Sequence, residues 1–434
     1  MKPASRGRKN CLLLILLLFC LVHPSIAWPA GHVNVITVNE IINPAISDYI
    51  TKIVDKSVKE GANSLIIQLD TPGGLDLSMR DIIKSIMNAR IPVIVYVAPG
   101  GARAASAGVM ITMSADVAAM APGTNIGAAH PVAMGGGKMD ETMMEKVEND
   151  AVAYAKSIAA KKGRNEEWAE EAVRKSVSIT ATEALELKVI DLVARDLQEL
   201  LEKVDGRTVE KEGQKFTVLT RGAEVRNLEM GLRQRILNAL SNPNIAYILL
   251  MVGLAGLYFE FSNPGAILPG VIGAISLILA FFALQSLPIN YAGILLLILG
   301  IILFIAEIKI TSYGLLSVGG VVSLTLGSLM LFESPAPYFR VSLRVVLPTV
   351  FLTSAFFLII VGLAIRAHRS QPATGQEGMV GLVGVAKSSL GPSGGKVFLH
   401  GEYWNAVSDE AIREGDEVQV LEVKNLRMKV RRVS

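Results

Sequence analysis

Gln68-Leu69-Asp70-Thr71-Pro72-Gly73-Gly74-Leu75 ends an apolar run on a glycine corner. Pro99-Gly100-Gly101-Ala102-Arg103-Ala104-Ala105-Ser106-Ala107-Gly108 ends the next run on a second corner, which opens an apolar helix at Val109, Met110, Ile111 and Met113. The runs themselves, Ser64 to Leu69 and Val93 to Val97, read as buried strands. Between them Leu77 to Met87 places Ile82, Ile83 and Ile86 at helical spacing. Ahead of them Val33, Val35 and Thr37 alternate as a strand does, and Pro44 to Lys59 sets Ile46, Ile50, Ile53 and Val54 on one helical face. Strand and helix in alternation predict an α/β domain, paired in parallel through right-handed crossovers. The corners also carry chemistry. A glycine turn leaves backbone N–H groups free to face a cleft, so the Gly74 amide, with that of Ala107 beyond the serine, is a candidate oxyanion hole. Ser106 among small neighbours at a helix N-terminus is approachable and sits where negative charge is favoured. Taken singly a double glycine is a turn and a serine before a helix is a cap, but two such corners ending successive strands are more specific.

The 434 residues have a mean hydropathy of +0.44, with 51% apolar and only 19% charged residues, which calls for a membrane portion. A formal net charge of +3 gives no basic surface for nucleic acid. Lys2, Arg6, Arg8 and Lys9 precede the apolar run Cys11 to Val22 and the small residues of Ser25-Ile26-Ala27, so residues 1–27 are expected to be a cleaved signal peptide. Both cysteines, Cys11 and Cys20, fall inside it. The mature chain therefore has no disulfide, thiolate zinc site or cysteine nucleophile. No metal or cofactor is expected, since His32, His130, His368 and His400 lie on different segments.

The soluble α/β domain is assigned to residues 28–235. Beyond Asn242-Pro243 the only formal charges between Ile245 and Phe332 are Glu260, Glu307 and Lys309. The region 245–365 divides into spans near 245–261, 267–284, 291–307, 315–332 and 347–365, a transmembrane bundle of five helices. Glycines within them suit close helix packing, and the three charges stand at span ends, where snorkelling to water is expected. Signal-led export followed by five spans puts the N-terminal domain outside the cell (inner) membrane and the C-terminus in the cytoplasm, in line with Arg366, His368 and Arg369 after the last span. After a linker at 366–376, residues 377–434 return to strand pattern at Val380 to Ala386, Lys396 to His400, Tyr403 to Val407, Glu417 to Val423 and Arg427 to Val433. This predicts a small five-stranded OB-like β-barrel, read as an interaction or assembly module, in which Tyr403 and Trp404 are either core or a stacking platform.

The two corners resemble those of the ClpP and crotonase superfamily. So, in order, do Met120-Ala121-Pro122-Gly123-Thr124-Asn125-Ile126-Gly127-Ala128, Ala181-Thr182-Glu183-Ala184-Leu185 and Val189-Ile190-Asp191. With Asn242-Pro243-Asn244-Ile245-Ala246-Tyr247, Phe304-Ile305-Ala306-Glu307 and the terminal β domain, nearly the whole mature chain resembles the long form of the NfeD family of membrane-bound serine proteases. The resemblance implies a Ser-Lys dyad, with Ser106 as nucleophile and Lys146 of Met144-Glu145-Lys146-Val147-Glu148-Asn149 as general base. It also implies a stomatin-like membrane partner as substrate. An oligomer, at least a dimer, and contact with membrane lipid are expected too. Such a lysine must be held neutral by burial away from anions. Lys138, Lys156 and Lys161 lie nearby, and the resemblance, not the spacing, selects Lys146. His130 is the competing base because it follows Ser106 at about the separation found in a ClpP triad. Where the triad acid would stand this chain has Ser176, Val177 and Ser178, so His130, with Gly73, is given a substrate-lining role. A crotonase-like acyl-CoA enzyme and a non-catalytic membrane scaffold are the rival classes.

Overall fold

The computed structural model of the chain describes residues 31–132, 140–211, 213–262, 265, 267–285, 287–310, 312–332, 334, 337–369 and 377–433. The signal peptide expected at 1–27, Lys138 and most of the expected linker lie outside these residues.

The chain forms two compact units, the first comprising residues up to Leu299 together with Val322–Thr353. It opens with β1 (His32–Asn39), α1 (Pro44–Lys59), β2 (Ser64–Asp70), α2 (Asp76–Asn88) and β3 (Val93–Val97). The start of α1 is set chemically: Asn43 accepts the Ile46 amide at 2.9 Å and Pro44 needs no amide partner in the first turn. Next come β4 (Arg103–Ala104), α3 (Ala107–Ser114), β5 (Val117–Met120), β6 (Asn125–Gly127), α4 (Glu141–Lys162), α5 (Glu166–Arg174), β7 (Ser178–Thr180), α6 (Ala181–Glu186), β8 (Leu192–Val193) and α7 (Leu197–Val204). The hairpin β9 (Thr208–Lys211) and β10 (Gln214–Thr217), then β11 (Glu224–Asn227) and α8 (Leu232–Leu240), complete the soluble part.

A six-stranded parallel sheet runs in the order β11-β1-β2-β3-β5-β8, as the alternating pattern requires. Both faces of its centre are covered, so the central strands β2, β3 and β5 are mainly apolar, whereas the edge strand β11 is exposed. Leu65, Ile67, Leu69, Val93, Val95 and Val97 face α1 to α5, while Ile66, Ile94 and Tyr96 face α7. A smaller sheet, β4-β6-β7, rises beyond the strand ends and carries the serine corner. Between α4 and the hairpin lies a buried ion cluster: Asp116 binds Lys162 at 2.6 Å and Lys211 at 2.7 Å and accepts the Val93 amide at 2.8 Å.

The apolar helices are α9 (Pro243–Ser262), α10 (Ile267–Leu284), α11 (Tyr291–Lys309), α12 (Leu315–Met330) and α13 (Leu343–Arg369). α9, α10 and α13 contain stretches long and apolar enough to cross a membrane, and the apolar stretches Tyr291–Glu307 of α11 and Leu315–Met330 of α12 are shorter. In the first unit α9 and α10 touch through glycines, since a Cβ on Gly256 would meet the Gly273 Cα at 2.8 Å. The snorkelling expected of Glu307 does not occur, while Glu260 is partly exposed. Glu260 turns one buried oxygen, without a hydrogen bond among the described residues, against Gly270. Glu307, in the second unit, is buried because its carboxylate serves the next helix, accepting the Ser312 hydroxyl at 2.7 Å and the Gly314 and Ser317 amides at 3.0 and 2.9 Å.

The second unit comprises Gly300–Val321 and Ser354–Ser434. Its terminal part is a closed barrel of β12 (Val383–Ala386), β13 (Gly395–Leu399), β14 (Glu402–Val407), β15 (Glu417–Lys424) and β16 (Arg427–Arg432), with β14 and β16 parallel and the other pairs antiparallel. The first strand starts later than Val380 because Glu377–Met379 forms a helical turn and Gly381 is left-handed at φ 91°. Trp404 packs on the barrel core, whereas Tyr403 is exposed and lies against the Phe398 ring with centroids 5.1 Å apart.

Candidate active site

The two corners are stitched together before any side chain acts. Thr71 donates its amide to Arg103 at 2.8 Å and accepts that of Ala105 at 3.1 Å. Ile42 donates to the Gly73 carbonyl and accepts the Leu75 amide, each at 2.8 Å, and the Gly73 amide is taken by the Thr71 hydroxyl at 3.1 Å. The Gly74 amide between them has no acceptor among the described residues, and neither has that of Ala107 at the head of α3. Unspent amides are what an oxyanion hole requires.

Ser106 joins β4 to α3 with φ 52° and ψ −114°, a left-handed conformation that costs a non-glycine residue about 1–3 kcal/mol. Its amide is held by the Ala128 carbonyl at 2.6 Å, which sustains the strain and lifts the side chain off the sheet edge. Gly73 leaves room for it: with φ 121°, a Cβ there would meet the Ser106 Cβ at 2.6 Å and its Oγ at 3.0 Å.

Ser106, Gly74 and Ala107 line a cavity of about 450 Å³ whose other walls include Met110, Ala129, Lys146, Asp76, Arg80, Asp150, Tyr338 and Phe339. Larger clefts elsewhere in the first unit contain no strained serine. Lys146 lies on α4, exposed, and has no ion pair among the described residues. Asp150, one turn further along, would be its natural partner but is held by Arg80 at 2.5 Å. Arg80 also binds Asp76 at 2.8 Å and lies over the Tyr154 ring at 4.3 Å. Burial opposes its charge, but hydrogen bonds and attraction from Asp76 and Asp150 outweigh that and hold its pKa above the ordinary value.

His130 is placed differently. Its Nδ1–H donates to the Val173 carbonyl at 2.9 Å, and its neighbours Ala129 and Pro131, not its own side chain, line the cavity. Ser178 hydrogen-bonds Asn125 at 3.1 Å within the small sheet, so the Ser176-Val177-Ser178 segment serves the fold. Among the described residues no cluster of His, Cys, Asp and Glu is placed to hold a metal. Sequence reading did not find Arg80, Asp150, Tyr338 or Phe339. Its only signal for the last two is an aromatic pair in the proline-rich loop after Phe332.

A nucleophilic serine needs a base, an oxyanion cradle and a cleft, and candidates for all three share one cavity beyond the carboxyl ends of a parallel sheet, in a chain that continues into apolar helices. This is the arrangement that a membrane-bound serine protease requires. Residues 32–211 match the NfeD1b N-terminal domain, 244–363 the NfeD integral membrane domain, and 376–432 the NfeD-like C-terminal, partner-binding domain. The chain is 36% identical over 435 residues to the membrane-bound protease PH1510 of Pyrococcus horikoshii, spanning 96% of this chain and 97% of that protein. It is 27% identical over 433 residues to the membrane protein NfeD1b of Bacillus subtilis, spanning 92% and 93%. A solved structure, the 1510-N membrane protease specific for a stomatin homolog from Pyrococcus horikoshii, is 35% identical over 49% of this chain and 99% of that one, with a TM-score of 0.43. The chain belongs to the NfeD family.

Proposed function

We propose that Ser106 and Lys146 work as a nucleophile and general base that cleave hydrophobic segments of a membrane protein, a stomatin-like partner. The observation that carries this reading is that the strained Ser106, the unspent Gly74 and Ala107 amides and Lys146 line one cavity. Neutral Lys146 takes the Ser106 proton as Oγ attacks the scissile carbonyl, and the resulting oxyanion accepts hydrogen bonds from the Gly74 and Ala107 amides. The tetrahedral species collapses, the C–N bond breaks, and the lysine returns the proton to the leaving amine. Water, deprotonated by the same lysine, then attacks the acyl-serine; C–O cleavage releases the acid and Ser106 recovers its proton. Lys146 is exposed, so the desolvation that makes it a base comes from an apolar substrate covering it.

The stomatin specificity named for the solved Pyrococcus protease supports the choice of partner. The domain extents inferred from the sequence belong to this reading: protease domain at 28–235, spans at 245–365, linker at 366–376 and barrel at 377–434. So do export of the protease domain across the cell membrane, a cytoplasmic barrel and assembly as at least a dimer. The test is turnover of a hydrophobic peptide by the full chain, with labelling by a serine-reactive fluorophosphonate. Ser106→Ala is expected to abolish both. Lys146→Ala is expected to lower turnover by about 10²- to 10⁴-fold, and His130→Ala by far less. A dead His130→Ala beside an active Lys146→Ala would replace the dyad with a histidine base. Failure of the wild type to label would favour the scaffold.

A further inference from the structure

The loop between α12 and α13 belongs to the membrane domain, yet its residues Ser334, Tyr338 and Phe339 line the same cavity as Ser106. Tyr338 stands at the nucleophile. The point that a Cβ on Gly73 would occupy lies 3.0 Å from Ser106 Oγ and 3.2 Å from the Tyr338 hydroxyl, so the two hydroxyls share one face of Gly73. A peptide carbonyl laid on that face at attack distance, about 3 Å, is within reach of both. Tyr338 is half-buried and its hydroxyl has no hydrogen-bond partner among the described residues.

The loop is also held in place. Phe339 is buried and packs on Tyr338 with ring centroids 5.0 Å apart. Arg340 donates to the Ser334 carbonyl, closing the loop on itself, and the Ser342 amide donates to Asn244 at the head of α9 at 2.8 Å. A polar group held rigidly beside a nucleophile, with its donor unspent, meets the requirements of a preorganised substrate contact.

We propose that Tyr338 is a further residue of the active site, whose hydroxyl donates to the substrate carbonyl as negative charge develops on its oxygen, so that the membrane domain completes the protease site. The proposal rests on Ser106 being the nucleophile. Burial pushes the Tyr338 hydroxyl up from its ordinary pKa, with the Arg103 charge offsetting part of the effect, so it stays a donor where a lysine base operates. No covalent step is added, because the tyrosine keeps its proton throughout.

The test uses the full-length protein in detergent with a hydrophobic peptide, and fluorophosphonate labelling of Ser106 as a separate readout. Tyr338→Phe keeps the ring and removes only the donor; kcat is expected to fall about tenfold or more while KM moves far less. Tyr338→Ala, which also opens the wall, is expected to raise KM as well. Unchanged kcat in Tyr338→Phe overturns the proposal. A higher rate in either variant overturns it too, since that would make the loop a plug over the serine. Absence of labelling and cleavage in the wild type would remove the serine-protease reading and this proposal with it, whereas a labelled, active wild type with indifferent Tyr338 variants sinks this proposal alone.

Discussion

The ionic arrangement behind Lys146 predicts the effect of Arg80→Gln. Asp150 is one helical turn from Lys146, and Arg80 occupies it at 2.5 Å while holding Asp76 at 2.8 Å on the same cavity wall. Without the guanidinium both carboxylates face the lysine unneutralised. A solvated i,i+4 pair is worth about 0.3–0.5 kcal/mol, and adding the second carboxylate and the lost positive charge brings the stabilisation of charged Lys146 to about 1 kcal/mol. A free-energy difference of that size corresponds to about fivefold in rate. Below the pKa the rate follows the neutral fraction of the base, so kcat/KM at neutral pH should fall about fivefold and return to the wild-type plateau in alkali. The assay is the kcat/KM profile for a hydrophobic peptide from about pH 6 to pH 10. Its acid limb should move upward in Arg80→Gln and move back in the double variant Arg80→Gln/Asp150→Asn. An acid limb that stays in place in the single variant would refute the idea that Arg80 shields Lys146 from Asp150. A limb that follows His130→Ala instead would refute lysine as the base.

Gly73→Ala should reduce turnover at least about 100-fold in a folded protein, because its Cβ would lie 2.6 Å from that of Ser106; circular dichroism and peptide turnover check the two halves of the statement. Asp116→Ala removes the counter-charge shared by Lys162 and Lys211 at a site where the carboxylate is 1% exposed, and should destabilise the protease domain by about 3–5 kcal/mol, read as a fall in Tm. Burial pushes Tyr49 and Tyr96 up to about 12, and nearby carboxylates add to the shift. Raised acid groups stabilise the fold fully below the unfolded pKa of about 10 and lose that contribution as pH rises through the folded value, so unfolding in alkali should set in between about pH 10 and pH 12, with tyrosinate absorbance as the readout.

What the sequence made legible follows from how local the signals are. α1 was readable from end to end because Asn43, Pro44 and the apolar stripe Ile46, Ile50, Ile53 and Val54 all act within the segment. β2 and β3 are readable because strands buried on both faces are mainly apolar, as in Leu65 to Ile67 and Val93 to Val97. β11 was not: Glu224–Asn227 is exposed along its length and joins the sheet only by backbone register with β1, as in the pairing of Glu224 with His32. Ser106 stood out by its small neighbours, but its left-handed backbone is imposed by the Ala128 carbonyl and by Gly73, which no local pattern announces. Family resemblance alone singles out Lys146, since Lys161 is an exposed lysine on the same helix. Glu307 departs from the expected snorkelling because hydropathy sees a charge near water and cannot see that its carboxylate caps the helix that follows it. Tyr338 acts across two domains, so its role depends on a contact that sequence order hides.

The exposure of Lys146 and the aromatic wall bear on the same physical problem. Water around an exposed lysine favours its charged form, so on the Ser106–Lys146 mechanism whatever removes that water makes the base more effective. An apolar segment entering between α4 and the Tyr338–Phe339 wall would displace that water, disfavouring the ammonium while leaving Asp150 engaged with Arg80. A polar peptide of equal length would bring its own water and leave the lysine charged. Selectivity for hydrophobic segments then needs no dedicated recognition pocket, because the substrate that desolvates the base is the one that is cut. The mechanism therefore requires the apparent base pKa in kcat to lie below that in kcat/KM, since kcat reports the occupied site and kcat/KM the free one. Equal values in both profiles would mean that the lysine is neutral before substrate arrives, and that substrate desolvation is not what activates it.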